Sequence, residues 1–130
     1  VLPSAAALLI AALKANPQVT ALPSATRIAT RLAGNDACIR ITPLGGVESV
    51  EDTGNPEFQI ECWGNGTGSD AEIQANLMAR TVQDVIPSLP GRYGPGLIVA
   101  GWTFGLPLAA ADPTTQRARE IVQAGLVMQP

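Results

Sequence analysis

Cys38, Cys62, the carboxylates of Asp52, Glu57, Asp70 and Asp112, and the glycine loop Gly64-Asn-Gly-Thr-Gly68 are the residues whose types could support chemistry in this chain. Histidine is absent, which removes the commonest general acid, general base and zinc ligand together. Two thiols without histidine make a poor four-ligand zinc site, so no metal is expected. The acids sit where turns and helix starts use a carboxylate structurally, Asp70 beside Ser69 and Asp112 before Pro113. Ser49, Ser69 and Ser88 lack a Gly-x-Ser-x-Gly setting, and neither cysteine has a visible base. Glycines before a helix can bind anions through exposed amides, but Gly64–Gly68 lacks the Lys-Ser/Thr of a phosphate cradle and the later acid of a dinucleotide fingerprint. The loop reads as a strand-to-helix connection. No enzyme and no cofactor are expected.

The chain of 130 residues is long enough for one core and too short for two ordinary domains, so residues 1–130 are read as one domain. With 46% apolar and 15% charged residues it falls among folded globular chains. Eight basic against eleven acidic residues give a net charge of −3, which offers no broad cationic field for a phosphate backbone. The apolar start resembles the core of a signal peptide but lacks a basic flank and is too short to span a bilayer; it is read as an amphipathic helix with no membrane partner.

The elements that must position these residues follow from pattern. Ser4 can cap a helix over Ala5–Ala15 that Asn16-Pro17 stops. Ala25–Leu32 fits a short helix or a strand equally. Ala37–Thr42 and Phe58–Trp63 are β-rich and predict a hairpin whose long polar connection is Gly45–Pro56. Setting Arg40 against Glu61 also sets Ile39 against Cys62 and Ile41 against Ile60, separating an apolar from a charged face, whereas a one-residue slip mixes them. That register turns Cys38 and Cys62 to opposite sides, so two reduced thiols are expected rather than a disulfide, as suits synthesis in a cytosol.

Ser69 and Glu72 have capping-box spacing, and Ile73, Leu77, Val82, Val85 and Ile86 follow at helical spacing until Pro87. Leu97–Phe104 reads as a strand, Ala111–Thr115 as a turn, and the chain is expected to end in a strand although Arg117–Met128 does not exclude a helix. The fold expected is α+β in the order α-β-β-α-β-β, a mainly antiparallel four-stranded sheet with two helices on one face. Trp63 and Trp102 are expected to cover core or an interface, and Arg27, Arg31, Arg117 and Arg119 to meet solvent or carboxylates of another subunit.

Taken in order, several landmarks make the chain resemble the tail terminators of long-tailed bacteriophages. They are a start helix closing at Leu13-Lys-Ala-Asn-Pro17, Arg27-Ile28, a strand running into Leu44-Gly45-Gly46, a strand ending Trp63-Gly64, the capped helix after it, a glycine-rich crossing, and Asp112-Pro113 leading to Arg117, Arg119 and a closing strand. Glu120 departs from the pattern where an aromatic is more familiar, and the Ala-rich start is unusually apolar. The resemblance implies a virion protein at the tail–neck junction: a homo-hexameric ring on the tail tube protein, joined to a head–tail connector, with DNA passing through unbound. It makes Arg27, Gly45, Gly46, Trp63, Gly64, Asp112, Arg117 and Arg119 the interface candidates. A chain this long has a diameter of about 36 Å, and six such spheres leave a hole of similar width, enough for a duplex. The neighbouring head-completion or neck proteins are the alternative. A small ligand-binding or enzymatic α+β domain and an adaptor docking by its sheet edge are the competing classes.

Overall fold

The computed structural model describes residues 4–23, 27–32, 34, 36–48 and 53–130, and of residues 47 and 48 only the backbone. Asp52 and Ser49, considered above for chemistry, lie outside the described residues. The Ser4 hydroxyl accepts the Ala7 amide at 3.3 Å and starts α1, Ala5–Ala15, which buries Leu8, Leu9, Ala12 and Leu13. Asn16 ends it and begins α2, Pro17–Thr20, because its Oδ1 accepts the amides of Gln18 (2.9 Å) and Val19 (3.4 Å) while Pro17 has no amide to satisfy.

The four-stranded antiparallel sheet with two helices is not what forms. Among the described residues seven strands make a mixed sheet curled into a half-barrel, with three helices. Across the sheet the order is β1 (Ile28–Ala29), β2 (Cys38–Glu48), β3 (Gly54–Trp63), β7 (Arg119–Gln129), β5 (Gly96–Thr103) and β4 (Gly91–Tyr93), with β6 (Leu108–Ala109) also on β7. β1 runs parallel to β2, and the other pairings are antiparallel. β1, β4 and β6 have two, three and two residues, too short to show a period of two, so their pairing depends on the long strands beside them.

The β2–β3 register is the one the face argument selects: Arg40 opposite Glu61, Ile39 opposite Cys62, Ile41 opposite Ile60. The hairpin then continues through most of what reads as the Gly45–Pro56 connection. A bulge at Leu44 shifts the register, and Gly45 pairs with Glu57, Gly46 with Pro56 and Glu48 with Gly54. Gly46 has φ 139° and lies so close to the Asn55 carbonyl that no Cβ would fit, which is why glycine can extend a strand here. Glycine and proline thus mark a bulged, twisted ladder rather than a loop.

The main helix, α3, spans Ser69–Val85, followed by a 3-10 turn over Ile86–Ser88. Its cap is Gly68, with no side-chain bond, so the capping box is not made; Ser69 lies inside the helix, and Asp70 and Glu72 favour the first turn through its dipole. The buried face also differs from expectation. Ala71, Ala75, Met78, Ala79, Val82 and Val85 face inward, while Ile73 and Leu77 are 67% and 53% exposed. Small alanines let the helix approach the sheet closely, and the larger side chains that suit a core by hydropathy point away from it.

One apolar core joins Leu9 and Leu13 of α1, Ile39 and Ile41 of β2, Phe58, Ile60 and Cys62 of β3, Val82 and Val85 of α3 and Val122, Ala124 and Leu126 of β7. Cys62 is fully buried there, and both thiols are free. Burial, then the neighbouring Glu120, Cys38 and Glu61, push the Cys62 thiol far above its usual range. A colorimetric thiol reagent at pH 8 is therefore expected to leave Cys62 unmodified in the native protein and to react with it only in denaturant; equal rates in both states would contradict the burial.

β5 and β6 are one interrupted strand along β7. The Phe104 amide bonds the Gln123 carbonyl and the Ala110 amide the Arg119 carbonyl, both at 2.9 Å, and the chain between leaves the sheet. The Gln83 side chain fastens this excursion to α3 by donating to the Gly105 carbonyl at 2.8 Å. Phe104, Leu106 and Leu108 are left exposed, Leu106 at 81%.

Candidate interaction site

β3 alternates inward and outward until Ile60, after which Glu61, Cys62 and Trp63 are all buried. Ile60 and Cys62 are covered by the core. Glu61 and Trp63 occupy the opposite face and are covered by arginines. Arg40 of β2 brings Nε to 2.7 Å and Nη2 to 2.6 Å from Glu61 Oε1, and Arg119 of β7 brings Nη1 to 3.1 Å from Glu61 Oε2. The Thr42 hydroxyl donates to the same carboxylate at 3.4 Å. The registers that set Arg40 against Glu61 and Trp63 against Arg119 create this cluster, since one residue of slip in either pairing would turn a partner to the other face.

Arg117 and Arg119 each hold their guanidinium carbon 5.2 Å from the centre of the Trp63 ring. Both contacts lie in the cation–π range, and they matter more here because Trp63 is only 5% exposed. Arg117 is buried and tied to three backbone carbonyls: Gly64 from Nε at 2.9 Å, Gly34 from Nη1 at 3.0 Å, and Asp36 from Nη2. Arg119 adds Nε to the Ala110 carbonyl at 2.8 Å. Among the described residues the Trp63 indole N–H is the one buried side-chain donor without a partner.

Asp112 shapes the turn beside them. Its Oδ2 accepts the Thr115 amide at 3.0 Å and hydroxyl at 2.7 Å. Those bonds, hydroxyl before amide, hold the exposed carboxyl below its ordinary value, with Arg119 adding to the effect.

Of the residues nominated from sequence, Trp63, Gly64, Asp112, Arg117 and Arg119 therefore converge at one end of the sheet. Trp63, Asp112, Arg117 and Arg119 line a cleft of about 500 Å³ there, with Arg40 and Leu32. Arg27 is nearby through Asp36, which it pairs at 2.9 Å in an exposed contact. Gly45 and Gly46 are elsewhere, in the β2–β3 hairpin. Arg117 is not the solvated or intermolecular cation its type suggested, since its donors are used inside the chain. Arg40 and Glu61, known from sequence only as a register pair, prove central. The signal was present: an acid with arginine opposite it, on a strand that buries both faces. Glu120 lies on the other face, buried at 7%, where the Asn76 amide donates to it at 3.1 Å.

No family model matches the chain, and no curated protein sequence does. Its fold does have a solved counterpart. A chain in the structure described as "Virion of native gene transfer agent (GTA) particle" superposes with a TM-score of 0.65 over 95% of this chain and 94% of its own length, at 15% identity. Likeness at that identity is likeness of fold.

Proposed function

We propose that the chain is a structural protein of a phage-like virion, and that it caps the tail tube as a ring, ends tube growth and presents the surface to which the head is joined. The observation that carries this reading is the fold shared with a virion chain over nearly the full length of both. The order of landmarks that resembles tail terminators supports a role at the tube end. Exposed apolar side chains supply contact surface: Ile73 and Leu77 on α3, and Phe104, Leu106 and Leu108 on the excursion from the sheet. A closed ring needs complementary surfaces on each copy, and these exposed side chains are candidates for them.

No covalent step belongs to this role. The groups best placed for chemistry are committed to structure, Glu61 to two guanidinium groups, Asp112 to Thr115 and the Cys62 thiol to the core. Among the described residues no helix is long and apolar enough to cross a membrane.

The test is native mass across a concentration series with negative-stain imaging, followed by addition of the protein to polymerising tail tubes. Rings with an open centre, and tubes arrested in length with the protein at one end, are expected. Rings that attach to heads but leave tube length unchanged would favour the neck role. A monomer that neither binds tube ends nor alters their length would end the proposal. Deleting Gly45–Pro56 is not a clean probe of axial contact, because Gly45, Gly46, Gly54 and Pro56 carry ladder pairs of β2 and β3.

A further inference from the structure

We infer that the cleft over Trp63 is a carboxylate-binding site and that its ligand is an acidic peptide segment of another protein chain. Three guanidinium groups, of Arg40, Arg117 and Arg119, meet two carboxylates there, of Glu61 and Asp112, a local charge of +1 on a chain whose total is −3. The geometry leaves specific donors unused. Arg40 commits Nε and Nη2 to Glu61, and Arg119 commits Nε and Nη1 to Ala110 and Glu61. Among the described residues Arg40 Nη1 and Arg119 Nη2 have no acceptor. The buried Glu61 thus acts as a positioning residue. It fixes two planar forks before any ligand arrives, so the ordering cost that weakens a flexible surface arginine is already met. Trp63 lines the same cleft, and its buried indole N–H has no partner.

Volume and lining separate a peptide from other anions. About 500 Å³ is several times the size of a lone anion and leaves room for flanking main chain against Trp63, Leu32 and the Thr115 hydroxyl. A nucleic acid phosphate is disfavoured, because net +1 locally within an acidic chain supplies little counterion release. A carboxylate matches the paired forks. This site stands whether or not the chain caps a tube.

The experiment follows Trp63 emission in a Trp102→Phe background, where it is the single indole, while a blocked hexaglutamate peptide is added at low ionic strength. A saturable change is expected. Leu32→Asp places a competing carboxylate at the cleft mouth on an exposed side chain and is expected to weaken binding tenfold or more with unchanged thermal melting. Arg40→Gln is expected to weaken it similarly, and Arg40→Lys, which keeps the charge but not the fork, by a smaller factor. The inference is overturned by absence of a saturable change, or by Leu32→Asp and Arg40→Gln binding as tightly as the parent. It is equally overturned if a duplex oligonucleotide or inorganic phosphate displaces the peptide at concentrations below those at which the peptide itself binds, which would assign the cleft to phosphate.

Discussion

Replacing Glu61 with alanine is expected to lower the unfolding free energy by about 3–5 kcal/mol, read as a shift of the urea midpoint with unchanged slope. The carboxylate is 0% exposed, and among the described residues it is the one that forms ion pairs with Arg119, whose side chain is 19% exposed, and with Arg40 at 33%. Its removal leaves two cations on a covered face with part of their hydrogen bonding lost. Arg40 can turn toward water, so most of the cost falls on Arg119 and on the Trp63 contact beside it. A triple replacement of Arg40, Glu61 and Arg119 by Met, Leu and Met is expected to recover most of the loss, because it removes the charges together rather than orphaning them. A cost below about 1 kcal/mol for the single change would mean that the cluster is solvated in solution.

The same pair shows how much of this protein was legible in its sequence. Arg40 and Glu61 fixed the hairpin register because a slip mixes charged and apolar faces, while the outer parts of β2 and β3 read as a connection and most of β7 did not exclude a helix. The bounds of α1 were equally local, set by Ser4 and Asn16. What the pattern could not supply was anything decided by distant neighbours. β1 has two residues and exists only because β2 lies alongside it, and the same holds for β6 on β7. The face of α3 misled for a related reason: hydropathy ranks Ile73 and Leu77 above Ala75 and Ala79, but closeness to the sheet selects small side chains. At the site, residue types identified Trp63, Asp112, Arg117 and Arg119. That Arg117 would turn inward onto the carbonyls of Gly34, Asp36 and Gly64 could not be read, since two chain segments, far from Arg117 and from each other in sequence, must meet to provide them.

Gly64 is where those segments meet, and Gly64→Ala is expected to be the most damaging single-methyl change in the loop from Gly64 to Gly68. Its amide bonds the Ala118 carbonyl at 2.9 Å, and its own carbonyl accepts Arg117 Nε at 2.9 Å. The first turn of α3 presses on its other side. An added Cβ would overlap the Ala71 carbonyl oxygen and lie 2.9 Å from the carbonyl carbon and 3.1 Å from Cα, all backbone atoms that no rotamer change can move. Either α3 or the end of β3 must shift, and each shift loosens Arg117 over Trp63. A cost of about 3 kcal/mol is expected, in the upper range for overpacking, which lowers the melting temperature by about 10 °C. Gly66 provides the internal control. It has φ 83° and open space around its Cβ direction, so Gly66→Ala carries only the left-handed backbone penalty of about 1–2 kcal/mol. The two variants differ by one methyl at positions two residues apart, so their ranking separates close approach from backbone conformation. Gly64→Ala melting within a degree or two of Gly66→Ala would show that α3 does not bear on the strand end, and the packing that holds the arginine cluster in place would have to come from elsewhere.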